Sequence, residues 1–423
     1  MNGLSMKTKQ HLLQICLLCA ALLPAAVQAQ FNFSTNNGVL TITGYNGSFG
    51  SGNVVIPSAA NGYPVTSIGD YAFRATYLTS ITIPNSVTNI GSSAFDACTS
   101  LTNVTIGNSV TNIGSSAFDG CSKLASVTIP GSVTNIGNSA FSVCANLVAI
   151  TVNASNSFYS STNGVLFNKT KTTLVQYPNG LGGSYPIPKS VTSIGVGAFG
   201  YSYSLTNVTF PNSVTNIGND AFAECISLNT VIISTNVTNI GADAFHDCHS
   251  LTSITIPNRV TSIGSQAFCF CINLASVTIG TNVTSIHFDV FLACPSLTGI
   301  YFLGNAPGVL FSALDSADNI ATVYYLPGTT GWGTPGTPFG GCPTALWLPQ
   351  AQTGAASFGV QTNQFGFNIT WASDMVVVVE ACADLANPVW TPVGTNTLTG
   401  GSSYFSDSQW MNYPGRYYRL RSP

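Results

Sequence analysis

Charged side chains are scarce in this sequence. Lys and Arg number 11 and Asp and Glu 14 among 423 residues, so only 6% of the chain is charged, against roughly a quarter in ordinary soluble proteins. Nucleic-acid binding draws much of its affinity from clustered Lys and Arg that release counterions from phosphates. No such basic patch occurs here, and we therefore predict no nucleic-acid partner.

Residue patterns for catalysis are missing as well. Only three histidines, His246, His249 and His287, follow the N-terminal segment. No Gly-x-Ser-x-Gly turn precedes a helix, as the nucleophile of many hydrolases requires, and no paired carboxylates lie isolated among apolar residues. The sequence therefore predicts a protein that is not an enzyme and has no cofactor.

Long apolar runs are confined to the N-terminus. Two lysines precede an apolar stretch over residues 12–26, and Val27-Gln28-Ala29 then has small residues at the positions that a signal peptidase recognises. This arrangement predicts a secretory signal over residues 1–29. A transmembrane anchor would need about 20 apolar residues, and Pro24 interrupts a shorter run. We expect a secreted or cell-surface protein without a transmembrane span.

A phrase of the form Ile-Gly-x-x-Ala-Phe, followed by a Leu-x-x-Val/Ile-x-Ile strand, returns nine times. Most copies are 23 residues apart, and one interval of 58 residues contains 35 extra residues. A regular step of roughly 20–29 residues indicates a leucine-rich-repeat solenoid, in which each coil buries its apolar side against its neighbours. The phenylalanines of the nine copies are Phe73, Phe95, Phe118, Phe141, Phe199, Phe222, Phe245, Phe268 and Phe291.

Each copy predicts a coil with two extended sides and one partly helical side. In the second copy, Val87 and Ile90 would point inward from one short strand, and residues 101–106 would supply the inward side chains of the other. Gly91 would permit a tight corner, and Ala94-Phe95 would fill the core from a helical turn.

Seven cysteines share one repeat position, three residues after the phenylalanine. An odd number in a regular column favours small buried side chains over cross-links, because cysteine is among the most buried residue types. Cys342 and Cys382 lie outside the column, and a disulfide between them remains open in an oxidising compartment. The seven are Cys98, Cys121, Cys144, Cys225, Cys248, Cys271 and Cys294.

The flanking segments predict caps, an insert and a second module. We expect an N-terminal cap at 30–65, repeats over 66–302 and a C-terminal cap at 303–349, since a solenoid must cover its terminal coils. The extra residues, at about 153–189, predict a β-hairpin insert. From 350 to 423, alternating apolar residues and turn signals predict a small all-β sandwich. The fold class is therefore mainly β with short helical turns.

The repeats resemble the Bacteroides-surface-protein-A type of leucine-rich repeat, whose phrase is I-G-x-x-A-F-x-x-C-x-x-L-x-x-I-x-I-P. The likeness covers roughly residues 31–345, and the insert resembles a longer repeat variant through residues 164–167 and Tyr177-Pro178. This resemblance implies a secreted or cell-surface protein for adhesion or recognition, with no catalytic residues to carry over.

Three positions depart from that phrase, and we expect less regular coils there. Thr76 and Ser202 replace the column cysteine, and His287 replaces the corner glycine. The final module is similar to the fibronectin-III-like β domains that end many exported bacterial proteins, on the basis of Trp371, Trp390 and residues 418–420.

Two columns of threonine occupy strand positions predicted to face outward. Threonine favours exposed strand positions in any sheet, which is the plain explanation for both columns. The functional alternatives are a hydroxyl surface for a protein or glycan, or an ice-facing plane, which would want two threonines per strand. We take the first column as the candidate ligand-binding surface: Thr82, Thr105, Thr128, Thr151, Thr209, Thr255 and Thr278. The second comprises Thr66, Thr88, Thr111, Thr134, Thr192, Thr215, Thr238, Thr261 and Thr284.

One cluster has the residue types of a zinc site. His246, Asp247 and His249 lie close in sequence, with Glu224 one coil earlier and Cys269 one coil later. Imidazole, carboxylate and thiolate from adjacent coils could converge on Zn²⁺, although an exposed loop also collects polar residues for no such reason. We predict no metal, with these three residues as the candidates to examine.

The leading prediction is an exported, non-enzymatic recognition protein that binds an extracellular protein or polysaccharide through the exposed face of its solenoid. The alternative is a structural surface-coat protein that associates with itself at the cell envelope. The oligomeric state is not predicted by these patterns.

Overall fold

The computed structural model describes residues 30–47, 52–309, 314 and 321–422. The predicted secretory signal, residues 1–29, lies outside the described residues. Helix occurs within this part of the chain only as two short 3-10 turns, Thr399–Gly401 and Trp410–Asn412. Strands and turns form the rest.

The strands before the insert are β1 (Phe31–Asn36), β2 (Val39–Tyr45), β3 (Asn53–Val55), β4 (Ala59–Ala60), β5 (Tyr63–Ile68), β6 (Ser80–Thr82), β7 (Asn89–Ile90), β8 (Asn103–Thr105), β9 (Asn112–Ile113), β10 (Ser126–Ile129), β11 (Asn135–Ile136) and β12 (Ala149–Val152). The insert contributes β13 (Tyr159–Thr162), β14 (Val165–Asn168), β15 (Thr173–Gln176) and β16 (Gly183–Pro186).

The later coils contain β17 (Ser193–Ile194), β18 (Leu205–Thr209), β19 (Asn216–Ile217), β20 (Thr230–Ile232), β21 (Asn239–Ile240), β22 (Ser253–Ile256), β23 (Ser262–Ile263), β24 (Ser276–Ile279), β25 (Ser285–Ile286), β26 (Gly299–Phe302), β27 (Gly308–Val309), β28 (Thr322–Tyr325) and β29 (Thr344–Leu346). The final module contains β30 (Gln350–Gln352), β31 (Gly359–Gln361), β32 (Gln364–Thr370), β33 (Val376–Cys382), β34 (Thr391–Thr397), β35 (Ser402–Asp407) and β36 (Tyr417–Arg421).

Successive coils stack through parallel strands on two sides. The front side carries the strands that follow each leucine, in the orders β3-β6-β8, β10-β12, β16-β18-β20 and β22-β24-β26-β28-β29. The back side carries short strands, most of them two residues long, that pair in the orders β5-β7-β9-β11 and β15-β17-β19-β21-β23-β25-β27. Inward residues of both sides are buried. The predicted solenoid is confirmed.

The third side of each coil consists of turns where a helical turn was expected. The nitrogen of Phe95 donates to the carbonyl of Ala117 in the next coil at 2.8 Å, so these turns also bond from coil to coil. Ser93 and Ala97 have positive φ angles of 52° and 56°, which an α-helix does not permit. Ala94 and Phe95 are nevertheless fully buried, as predicted.

Two ladders of identical residues fill the interior. The repeat phenylalanines stack with ring centroids 4.7 to 5.7 Å apart within each run. Each of the seven column cysteines is buried, and its Sγ donates to the carbonyl of the preceding coil's phenylalanine, as Cys121 does to Phe95 at 3.3 Å. The prediction of packing rather than cross-linking is confirmed.

The insert divides the interior in two. β14 pairs antiparallel with both β13 and β15, and β15 continues into the back sheet beside β17. Alternate side chains of β14 point to opposite sides, as in any strand: Leu166 belongs to the N-terminal hydrophobic cluster, and Val165 and Phe167 belong to the C-terminal one. Leu174 of β15 also belongs to the C-terminal cluster, and Val175 packs against the N-terminal one, so β14 and β15 together form the wall between two separate cores.

Both ends of the solenoid are covered. At the N-terminus, the β1–β2 hairpin places Tyr45 on Phe73, with ring centroids 5.2 Å apart. At the C-terminus, β28 and β29 extend the front sheet, and the side chain of Trp332 packs on Phe302.

The final module is a small all-β unit of two sheets. β32 pairs with β30, β31 and β35, and β33 pairs with β34 and β36. Its core includes Phe367, Ile369 and Val379 together with Leu326 of the solenoid end. The disulfide left open between Cys342 and Cys382 does not form: both cysteines are present as thiols, and their Sγ atoms donate to the carbonyls of Leu314 and Asp384 respectively.

Candidate functional site

The first threonine column forms rows of hydroxyls across the front sheet. Thr82 lies opposite Thr105, Thr128 opposite Thr151 and Thr255 opposite Thr278, so neighbouring members are about 4.7–4.9 Å apart. Five of the seven are exposed, and Thr82 and Thr278 are half-buried. We call this set the front column.

The front-column hydroxyls are not used within the protein. Among the described residues, no hydrogen bond involves the Oγ1 atom of Thr82, Thr105, Thr128, Thr151, Thr209, Thr255 or Thr278. The hydroxyls of the five exposed members can therefore donate and accept hydrogen bonds from the solvent side.

The second threonine column, on the back side, behaves differently. Oγ1 of Thr111 donates to the carbonyl of Thr88 at 3.1 Å, and Oγ1 of Thr134 donates to the carbonyl of Thr111 at 3.2 Å. The same bond recurs after the insert, where Thr238 donates to Thr215 at 3.1 Å. These hydroxyls join one coil to the next, and we call them the back column.

An asparagine ladder beside the back column reinforces the same joints. Nδ2 of Asn112 donates to Oδ1 of Asn89 at 2.7 Å, and Nδ2 of Asn135 donates to Oδ1 of Asn112 at 2.6 Å. Amide side chains in such a row satisfy one another. The back side is therefore a structural surface, and the front side is the one with unused polar groups.

Apart from the insert, where β12 and β16 do not pair, the front sheet is open at two places among the described residues. Strands β8 and β10 do not pair, nor do β20 and β22, although all four lie in the described part of the chain. Val231 and Ile233 of the second opening are 8% and 7% exposed, whereas the corresponding Val277 and Ile279 are fully buried. A groove of about 400 Å³ runs there, lined by Ile232 and Thr255 among others. Nothing in the repeat pattern indicated these openings.

A second cleft, of about 190 Å³, lies where the insert meets the preceding coil. Its wall includes Ile136, Tyr159 and Gln176. The hydroxyl of Tyr159 accepts the N–H of Ile136 at 2.9 Å, and it thereby satisfies a strand edge that has lost its neighbouring coil. This cleft is a by-product of the insertion.

The histidine cluster is held together by its own carboxylate. Nδ1 of His246 lies 2.9 Å from Oδ2 of Asp247, and Nε2 of His249 lies 3.1 Å from Oδ1 of the same residue. Both carboxylate oxygens are therefore engaged by imidazoles. Within the described ranges, no group of three or more His, Cys, Asp or Glu side chains has the arrangement of a metal site.

Buried thiols are unsuited to nucleophilic chemistry. Desolvation by burial raises the pKa of Cys144, Cys225 and Cys294 to about 12, and it raises the pKa of Cys248 well above its ordinary value. A cysteine acts as a nucleophile as its thiolate, so these side chains stay protonated and inert at neutral pH.

Each of the three departures from the repeat phrase takes part in a hydrogen bond. Oγ1 of Thr76 donates to the carbonyl of Phe73 at 2.8 Å, and Oγ of Ser202 accepts from Nδ2 of Asn179 at 3.2 Å. The nitrogen of His287 donates to the carbonyl of Ile263 at 3.2 Å, the bond that a corner glycine makes elsewhere. The expectation of less regular coils at these positions stays a prediction.

Fold and surface together define a repeat protein of the leucine-rich class. The profile described as BspA type leucine rich repeat region matches residues 66–182 and 183–304, with six copies. This match covers more than half of the chain, which therefore belongs to the BspA type leucine-rich-repeat family.

Several solved structures are similar to this chain. The pneumococcal vaccine antigen PcpA has a TM-score of 0.60 and 21% identity, over 71% of this chain and 93% of that one. A leucine rich cell surface protein from Faecalibacterium prausnitzii A2-165 has 30% identity and a TM-score of 0.41, over 65% and 94%. A leucine-rich repeat protein from Eubacterium ventriosum ATCC 27560 has 26% identity and a TM-score of 0.46, over 70% and 82%. No curated protein matches.

No helix among the residues that the structure describes has the length and apolar character needed to cross a bilayer.

Proposed function

We propose that this chain is an exported, non-enzymatic recognition protein whose solenoid binds an extracellular protein or polysaccharide through its front side. Membership of the BspA type family supports this role, as does the likeness to a protein described as a leucine rich cell surface protein. The secretory signal predicted over residues 1–29 would direct export.

The contrast between the two threonine columns carries this proposal. Both columns are regular and both have exposed members, yet only the back column uses its hydroxyls to join coils. Hydroxyl groups that repeat in register without an internal partner are available to hydrogen-bond a ligand. Because a solenoid places the same residue at the same height on successive coils, such a row suits an extended partner.

The test is a binding screen of the purified full-length chain against arrays of polysaccharides and extracellular-matrix proteins. We expect saturable binding to at least one member of either array. The triple variant Thr105→Val, Thr128→Val and Thr151→Val removes three front-column hydroxyls and should weaken the interaction if the ligand lies over those coils, with the back-column variant Thr88→Val, Thr111→Val and Thr134→Val as the matched control. Absence of binding to both arrays would contradict a recognition role.

One observation favours the alternative of a self-associating coat protein. β36 is an edge strand of its sheet, and its side chains are at most half-buried, so its main-chain groups could pair with another copy. Light scattering and cell fractionation separate the two functions. A coat protein forms large assemblies that remain with the envelope, whereas a monodisperse monomer supports recognition.

A further inference from the structure

The front column changes character in the last coils. Thr278 of β24 lies opposite Tyr301 of β26, which lies opposite Tyr324 of β28. Two tyrosines therefore take the place that threonine holds in the preceding coils. Their rings continue the line of hydroxyls that begins at the groove beside Ile232 and Thr255.

The two rings form an ordered stack. Tyr301 and Tyr324 have centroids 4.9 Å apart and planes within 10° of parallel. Trp347 lies against Tyr301 at 4.8 Å with an interplanar angle of 55°, and its carbonyl accepts the indole N–H of Trp371 at 2.9 Å. The final module therefore holds Trp347, and through it the stacked tyrosines, in place on one side.

Gly299 makes room for this arrangement. A Cβ atom at Gly299 would lie 2.6 Å from the ring of Tyr301, so that ring lies across β26 where the preceding coil carries Ser276. Any larger residue at position 299 would displace the ring. Position 299 must therefore be glycine for the Tyr301 ring to lie across the strand.

The strands that carry the stack and the groove are uncharged. The strands β20, β22, β24, β26, β28 and β29 contain no Asp, Glu, Lys or Arg, and the hydroxyls of Thr255 and Thr278 have no internal hydrogen bond within the described residues. Protein-binding surfaces favour Arg and aromatic anchors with a polar rim. Aromatic faces beside unused hydroxyls, with no charge of either sign, match an uncharged ligand that has both apolar C–H faces and hydroxyl groups.

We infer that the front side from the groove at Ile232 to Tyr324 is a binding site for a neutral polysaccharide. This inference rests on the proposed recognition function and narrows its ligand. The C–H face of a sugar ring would pack on the partly exposed tyrosine stack, since the face of an aromatic ring carries partial negative charge. Sugar hydroxyls would bond to Thr255 and Thr278, and adjoining sugars would extend to the groove.

The experiment compares the full-length chain with two variants that borrow residues from neighbouring coils. Tyr301→Thr with Tyr324→Thr restores the front column, and Gly299→Ser displaces the ring while every aromatic residue remains. Tyr63→Thr, which removes an exposed tyrosine near the other end, is the control. Affinity is measured by calorimetry and pull-down with neutral glucans, mannans, xylan and chitin, with charged polysaccharides and matrix proteins beside them.

We expect at least one neutral polysaccharide to bind, with affinity reduced tenfold or more in both test variants and unchanged in Tyr63→Thr. Unchanged affinity in the test variants overturns the aromatic site, and so does a fall in melting temperature without a change in binding, which would assign the rings to packing alone. Binding confined to proteins or charged polymers overturns the inference while the recognition function stands. Failure to bind any ligand counts against both.

Discussion

The side-chain oxygen of Asn179 accepts a hydrogen bond from the main-chain nitrogen of Cys144, at 3.3 Å across the inserted segment. The amide nitrogen of the same side chain donates to the carbonyl of Gly200 at 2.7 Å and to Oγ of Ser202 at 3.2 Å. One buried amide therefore connects the last coil before the insert with the first coil after it. It stands in for the coil-to-coil bonds that the insertion interrupts.

Replacement of Asn179 should loosen this junction. Asn179→Ala leaves the buried N–H of Cys144 and carbonyl of Gly200 without partners, which should cost about 3 kcal/mol of unfolding free energy. The measurement is urea denaturation followed by circular dichroism. Asn108→Ala, at an exposed position in a regular coil, should change stability by less than about 0.5 kcal/mol. Equal losses of unfolding free energy in the two variants would show that the hydrogen bonds of Asn179 do not stabilise the junction.

The wall of β14 and β15 predicts that two neighbouring residues stabilise different halves of the solenoid. Leu166→Ala removes a side chain from the N-terminal core and Phe167→Ala removes one from the C-terminal core, each at a cost of about 3 kcal/mol. In hydrogen–deuterium exchange, Leu166→Ala should release amides mainly in the coils before the insert, and Phe167→Ala mainly in those after it. Identical exchange maps would mean that the interior behaves as one core.

Substitutions in the back column should lower stability, whereas substitutions in the front column should leave stability unchanged. The variant Thr88→Val, Thr111→Val and Thr134→Val removes coil-to-coil hydrogen bonds and should lower the unfolding free energy by about 2 kcal/mol in total. The front-column variant Thr105→Val, Thr128→Val and Thr151→Val breaks no such bond, so its stability should stay within about 0.5 kcal/mol of the parent. A larger loss of stability in the front-column variant would contradict the assignment of roles.

Buried thiols predict a loss of stability in alkali. Burial raises the pKa of Cys225 from 9.0 to about 12, so above pH 9 the unfolded chain loses this proton while the folded chain keeps it. The unfolded state is then favoured, and stability should fall as pH rises from about 9 to about 12. Tyr177, whose pKa burial raises from 10.0 to about 12, adds to the same trend.

Melting temperatures across that pH range check this expectation. Cys225→Ala removes one contribution and should flatten the decline, whereas Tyr63→Phe, at an exposed ring, should leave it unchanged. A slope that Cys225→Ala does not alter would mean that its thiol ionises equally in both states.

The repeating part of the fold was predictable because its contacts repeat. Phe95 touches Phe118 as Phe118 touches Phe141, so the period alone fixed which side chains stack, and the odd number of column cysteines pointed to packing. The turn side was harder to predict, since left-handed residues at Ser93 and Ala97 leave no signature in the apolar pattern.

Other features depended on contacts made only once. Tyr177 takes the place of a repeat phenylalanine and packs on Phe199 at 5.0 Å, a role set by how the hairpin lies between coils. The two threonine columns look equivalent in sequence, and only hydrogen-bond geometry separates them. Tyr301 and Tyr324 occupy front-column positions, and only the structure shows that their rings stack.

Because β14 and β15 separate the two cores, either half of the array can change its number of windings without disturbing the packing of the other. Duplication of one 23-residue unit on the C-terminal side would add a further rung of about 4.8 Å to the outward row. The reach of this protein toward a long partner can therefore evolve by copying short stretches of gene, with no redesign of its interior.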